Sequence, residues 1–323
     1  MKRKMFALMG VLIIVLTVSI YIPYKEKSFY SIICIPKVND GSNFWNTLAQ
    51  GAQMAAEDYG VNLEFSAPDS EDNYEQQIQL LHHAISKKPD AILLAATDYE
   101  KIADAAKEVK NNGIKLVIID SGIKGNIGDC TISTDNVEAG IRLGAAVKGV
   151  LKENGKIGVV SYVKNAQSAM DRERGLHIGL NDAVDHIVET VYCDSDYDKA
   201  YEVTKKMLTS NPDINIIAGL NQYSAVGAVR AVKDMGLLSQ IKMFGVDNSI
   251  EEIEYLEAGI FEGIVIQKPF NIGYMGVERA VWLLKGKKIE SYYDSGSAYI
   301  TKENMYAGYN QKLLFPFMKN SSE

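Results

Sequence analysis

Polar and aromatic residues recur at one kind of place in this chain, just beyond short apolar runs. Asn39, Asp40, Gly41, Ser42, Asn43, Phe44 and Trp45 follow the first run, and Asp120 and Ser121 follow a later one. Further on come the stretch Asn165–Arg172, then Tyr197 beside Asp196, Asn221 with Gln222, Asp247 with Asn248, and Gln267. Carboxylates accept hydrogen bonds, a guanidinium donates them in a fork, and carboxamides do both. Aromatic rings add flat apolar faces. Such a set is equipped to hold a ligand, and it is poor in the nucleophile–base pairs that covalent catalysis needs. Asp120 and Asp247 could in principle cleave a glycoside as a carboxylate pair. With no evident nucleophile or base beside them, they read as hydrogen-bond acceptors. Cys34, Cys130 and Cys193 make no Cys-x-x-Cys and no Cys/His metal spacing, so no metal, cofactor or structural disulfide is expected.

The apolar runs fix the fold class. Strands are expected at Tyr30–Ile35, Leu63–Ala67, Ala91–Ala95, Leu116–Asp120, Lys156–Ser161, Ile187–Tyr192, Ile214–Leu220, Lys242–Val246, Gly263–Gln267 and Ala298–Thr301. Helical patterns separate most of them. Asn46–Tyr59 aligns Leu48, Ala52, Ala55 and Ala56, and Tyr74–Ser86 aligns Ile78, Leu81 and Ile85. Alternation of this kind predicts an α/β protein with parallel sheets built from βαβ units. Runs such as AILLA and LVIID are apolar on both faces, as strands covered by helices on both sides must be. One doubly wound sheet is expected up to Asp120 and a second from Lys156 to Val246. The place of the last segments stays open on periodicity alone. In open sheets of this type ligands bind beyond the carboxyl ends of strands, which is where the polar set stands.

Lys2, Arg3 and Lys4 precede an uncharged run from Phe6 to Ile22. At about 1.5 Å per residue this run is near the lower limit for a membrane-spanning helix, and its basic flank predicts a cytoplasmic N-terminus. The run meets Ser19-Ile20-Tyr21-Ile22-Pro23 with no small-x-small cleavage site and no lipid-accepting Cys. An uncleaved anchor is therefore expected rather than a removed signal. About 295 residues remain, enough for two domains with proper cores. Lys and Arg number 34 against 41 Asp and Glu, a net charge of −7, which argues against a nucleic-acid partner. His82 and His83 read as surface or partly buried helix residues, and Glu251, Glu252 and Glu254 as a solvated helix face.

A collinear series of segments then carries a resemblance. It runs NFWNTLAQGAQMAAE, ISTDNVEAGIRLG, DRERG, DYDK, AGLNQYSAVGAVRAV, FGVDNS, GIVIQKPFNIGYMGVE and TKEN. Over Ser31 to about Met305 the chain resembles the ribose/galactose/xylose-type periplasmic sugar-binding proteins. The resemblance implies two Rossmann-like lobes joined by three crossover hinge strands, closing on a monosaccharide. It places residues 28–134 and 267–294 in the N-terminal lobe, and 135–266 and 295–323 in the C-terminal lobe. Carried over position by position, it implies sugar contacts at Phe44, Trp45, Asp120, Arg172, Tyr197, Asn221, Asp247 and Gln267. Asn39, Asn43, Ser121 and Gln222 are further possible contacts. A pyranose has apolar C–H faces for the rings and a rim of hydroxyls for the polar groups. The chain departs from the family's ribose binders in two places: Ser121 stands where they carry Arg, and Ser42-Asn43 where they carry Asn-Pro. The loss of that second guanidinium argues against ribose.

In its anchored layout the chain also resembles xylose-binding proteins that partner a sensor histidine kinase. The expectation is a membrane-anchored extracytoplasmic receptor for an aldopentose, D-xylose favoured, that reports to such a kinase. The alternative is the receptor of an ABC sugar importer, delivering to its permease. A transcription regulator with this core would begin with a helix-turn-helix where this chain has its apolar run. Trp45→Ala is expected to abolish binding while folding is retained.

Overall fold

The computed structural model describes residues 29–315. The expected anchor at residues 6–22 lies outside them. Among the described residues no helix is long and apolar enough to cross a membrane.

Two six-stranded sheets form the frame. The first has the order β11-β5-β4-β3-β1-β2, with β1 (Ser31–Ile35), β2 (Asn62–Phe65), β3 (Ala91–Leu94), β4 (Lys115–Ile119), β5 (Cys130–Ser133) and β11 (Tyr292–Asp294). The second has the order β12-β10-β9-β8-β6-β7, with β6 (Ile157–Ser161), β7 (Ile187–Tyr192), β8 (Ile216–Gly219), β9 (Lys242–Val246), β10 (Phe261–Ile266) and β12 (Ala298–Ile300). The two orders superpose strand for strand: β4 corresponds to β9, and β11 to β12. All pairs are parallel except β10 with β12. The chain passes between sheets after Ser133, after Ile266 and after Asp294.

Burial explains the apolar runs. In β1, Ile32 and Cys34 enter the core under helices α1 (Asn43–Tyr59) and α9 (Pro269–Leu284). Ile33 and Ile35 enter a second core on the opposite face, under α2 (Tyr74–Ser86) and α3 (Ala103–Asn111). A strand buried on both faces has no use for alternation. The second sheet is covered by α4 (Asn136–Val150), α5 (Gln167–Leu180), α6 (Tyr197–Ser210), α7 (Gln222–Asp234) and α8 (Ile250–Ala258) around one continuous core. A last helix, α10 (Gly308–Leu314), closes the described chain.

Helices α4 and α5 pack backbone to backbone. A Cβ at Gly140 would run into the Arg172 carbonyl, and one at Gly175 into the Val137 carbonyl. Only glycine permits this approach, which holds the turn of α5 that carries Arg172.

Three sequence expectations need correction. Strands β5 and β11 escaped notice, because CTIS and YYD are short and partly polar, and β11 is an edge strand with two exposed residues. Helix α1 starts at Asn43 rather than Asn46, so Phe44 and Trp45 lie in its first turn. Glu252 is fully buried, not solvated. Its Oε2 accepts from Ser249 N at 2.8 Å and Ser249 Oγ at 2.7 Å, closing a capping box at the start of α8. Burial, with Asp247 nearby, pushes its carboxyl well above the usual range. The three cysteines are buried and free, and burial raises each thiol to about 12.

Candidate functional site

The carboxyl ends of β4 and β9 are corresponding positions in the two sheets, and each is followed by an aspartate. Asp120 has φ +58° and Asp247 has φ +96°, a region that non-glycine residues adopt rarely. Each backbone N–H still bonds to the neighbouring strand, Asp120 to Ile132 O and Asp247 to Val265 O, both at 2.9 Å. The turn therefore begins immediately after the last ladder bond. Both side chains line one pocket between the sheets.

The two carboxylates are held differently. Asp120 Oδ2 lies 2.9 Å from the Lys37 ammonium, and both side chains are at most 4% exposed. Lys37 also donates to Ser168 Oγ of the second lobe at 3.1 Å, and its ammonium stands 6.0 Å from the ring centroids of Trp45 and Tyr162. Asp247 makes no ion pair among the described residues. Its Oδ2 accepts from Gln222 N at the start of α7 at 2.9 Å, and its Oδ1 accepts from Gln267 Nε2 at 2.6 Å. Gln267 Oε1 is buried and makes no hydrogen bond among the described residues. Such an acceptor needs an incoming donor.

Arg172 is buried and fixed from two sides. Nε donates to Asn136 Oδ1 at 2.8 Å and Nη1 to the Leu220 carbonyl at 2.7 Å, with the guanidinium 5.4 Å from the Tyr162 ring. Asn221 is the N-cap of α7. Its Oδ1 accepts from Ser224 N at 2.9 Å, which leaves Nδ2 to donate to Ser195 Oγ at 3.1 Å. Ser249, not Asp247, caps α8.

Trp45 and Phe44 meet edge to face, centroids 5.0 Å apart at 86°. The Trp45 indole donates to Glu71 Oε1 at 2.7 Å. Trp45 is 5% exposed and belongs to the core between β1 and α9, so it is a structural residue as well as a cleft one.

Seven of the eight residues implied by the resemblance line the pocket: Phe44, Trp45, Asp120, Arg172, Asn221, Asp247 and Gln267; Gln222 joins them. Tyr197 does not line it. Its ring lies behind Tyr223 at 4.8 Å, its hydroxyl accepts from Gln222 Nε2, and the Arg230 guanidinium covers it at 5.1 Å. Asn39 and Asn43 are exposed. Ser121 is buried outside the pocket lining, with Oγ accepting from Ser168 N at 3.4 Å. Four lining residues were not singled out in the sequence, Lys37, Glu71, Tyr162 and Tyr223, while Ser168 falls within the polar stretch Asn165–Arg172. Lys37 and Tyr162 sit at the ends of β1 and β6, and Tyr223 follows Asn221, so the strand-end rule could have found these three.

The lobes meet across this pocket. Tyr223 donates to Asp40 Oδ2 at 2.6 Å, Phe44 N to Gln222 Oε1 at 3.4 Å, and Ser195 Oγ to Glu71 Oε2 at 2.7 Å. A family profile described as a periplasmic binding protein domain matches residues 32–288 of this frame. The chain belongs to the periplasmic binding protein family. This periplasmic binding protein is accordingly a binding protein and not an enzyme. It is 25% identical to the ribose import binding protein of Haemophilus influenzae over 290 residues, covering 90% of this chain and 96% of that one. A solved sugar transporter from Clostridium phytofermentans is 55% identical, with a TM-score of 0.81 over 85% of this chain and 99% of the other. An ABC transporter solute-binding protein from Agrobacterium vitis, solved with bound D-fucose, is 30% identical, with a TM-score of 0.84 over 88% and 99%.

Proposed function

We propose that this chain is an extracytoplasmic monosaccharide receptor that closes its two lobes on one sugar and delivers it to an ABC importer. The observation that carries this reading is the pair of corresponding aspartates, Asp120 and Asp247, one per lobe, in one aromatic-walled pocket. A sugar bridging them is bound by both lobes only in the closed form, so its binding energy goes into closure. The chain passages after Ser133, Ile266 and Asp294 then serve as the hinge. Asp120, Asp247 and Gln267 Oε1 accept ligand hydroxyls, Arg172 and Asn221 donate, and Phe44 and Trp45 cover an apolar sugar face. Tyr223 takes the aromatic place that the resemblance implied for Tyr197. Lys37 supplies beside Asp120 the second cation that Ser121 does not.

The ligand is a neutral aldose. The relatives include a ribose import protein and a protein solved with D-fucose, which widens the field beyond aldopentoses; D-xylose remains a candidate among them. The importer role is supported by the same two relatives, whose names attach them to transport. A reading as sensor for a membrane histidine kinase rests on the apolar run Phe6–Ile22 with no lipid-accepting Cys.

Calorimetric titration with D-ribose, D-xylose, D-allose, D-fucose and D-galactose tests the ligand class, and one saturable sugar is expected. Deleting the gene then separates the partners. Loss of uptake of that sugar supports the importer. Intact uptake with lost transcriptional induction supports the kinase.

A further inference from the structure

Glu71 lies in the turn between β2 and α2, far in sequence from every residue singled out above, yet it is 5% exposed inside the cleft. Each of its oxygens is committed. Oε1 accepts from the Trp45 indole at 2.7 Å within its own lobe, and Oε2 accepts from the Ser195 hydroxyl of the other lobe at 2.7 Å. Ser195 in turn accepts from Asn221 Nδ2 at 3.1 Å, and Asn221 Oδ1 is spent on Ser224 N at 2.9 Å. Ser195 and its neighbour Asp194 both have positive φ, +59° and +51°, so the turn after β7 is bent to present this hydroxyl.

The donor directions leave no freedom. An indole N–H only donates and a carboxylate only accepts, so Ser195 must spend its proton on Glu71 and receive from the Asn221 amide. One carboxylate thereby sets the tilt of an aromatic face in the first lobe and the rotamer of a carboxamide in the second. Burial raises the Glu71 carboxyl, opposed by the Lys37 ammonium and by the bonds from Ser195 and Trp45. The Trp45 bond is within one lobe and survives opening; the Ser195 bond exists only when the lobes meet.

We propose that Glu71 is a positioning residue for ligand binding, anchoring the Trp45 ring at all times and latching the closed form through Ser195. This inference rests on the reading of the pocket as a sugar cleft. It makes a division that a merely structural residue would not make. Ser195→Ala removes the latch and the acceptor of Asn221 Nδ2 but leaves the Trp45 anchor, so ligand release accelerates by at least about tenfold, the scale of one hydrogen bond to a charged group, with ligand-free emission unchanged. Glu71→Ala removes latch and anchor, and so also shifts the Trp45 emission to the red without ligand. Glu71→Gln keeps an acceptor for the indole, so the ligand-free emission stays near wild type, but its amide nitrogen cannot accept the Ser195 proton, so release stays accelerated.

The experiment is stopped-flow binding and steady-state emission on the full chain in a Trp282→Phe background, which leaves Trp45 as the single tryptophan. Release from Ser195→Ala at the wild-type rate, or unshifted emission from Glu71→Ala, would overturn the proposal. Ligand-free emission from Glu71→Gln as shifted as that from Glu71→Ala would overturn it too, by showing that an acceptor at this position does not hold the indole. If the parent binds none of the sugars, the cleft reading fails, and the ligand-free emission of the Ala and Gln variants still decides whether Glu71 holds Trp45.

Discussion

In the first lobe the aspartate after β4 is neutralised by a buried ammonium; in the second the aspartate after β9 is held by a backbone N–H and a carboxamide. Strand order, backbone turn and ladder bond are the same at both sites. The frame therefore dictates where a carboxylate stands, while the surrounding side chains dictate how it is held. An ion pair removed from water is costly to break from one side, and losing an uncharged donor to a buried carboxylate costs less. The two halves of the cleft should respond unequally to loss of a partner.

Lys37→Met tests the larger side. It leaves Asp120 as a buried carboxylate with no cation, and a loss of ~3–5 kcal/mol of stability is expected in urea unfolding. Trp45→Ala should cost ~3–5 kcal/mol as well, because the ring fills the core against β1 and α9. That expectation replaces the one drawn from sequence, in which folding was untouched. Trp45→Phe, which keeps much of the volume, is the variant whose weakened sugar binding reports on the cleft. Gln267→Met removes the neutral partner of Asp247 and should cost ~1–3 kcal/mol. Equal losses for Lys37→Met and Gln267→Met would break the comparison between the lobes.

The smallest effect is a pH effect in the second lobe. The Glu252 carboxyl is raised by burial, so its favourable contribution is complete below the usual glutamate range and is lost as pH rises through the raised value. Glu252→Gln keeps the capping box and removes the titration. It should gain on the order of 1 kcal/mol over the wild type at pH 8 relative to pH 5, read as a melting shift of ~2–4 °C.

The strands buried on both faces were legible because such strands must be apolar throughout, as AILL and LVII are. The polar cluster at strand ends was legible because parallel sheets expose nothing else there. Strands β5 and β11 were not, since four and three residues carry too little pattern. Lys37 was passed over because a lysine beside an apolar strand is ordinarily solvated, and its partner Asp120 is distant in sequence. Glu71 and Ser195 sit in turns whose bends are set by tertiary contacts. Glu252 lies in a helix with the composition of a surface one, and its burial beside Ser249 at the start of α8 is set by tertiary packing.

The central claim is that corresponding carboxylates from opposite lobes hold one sugar between them. Calorimetric titration of the wild type, Asp120→Asn and Asp247→Asn with the sugar that binds tests it most directly, with melting curves to verify folding. Loss of a charge-assisted bond at each site predicts an affinity drop of at least about tenfold in both variants. A folded variant of either aspartate that binds the sugar with wild-type affinity would contradict the account.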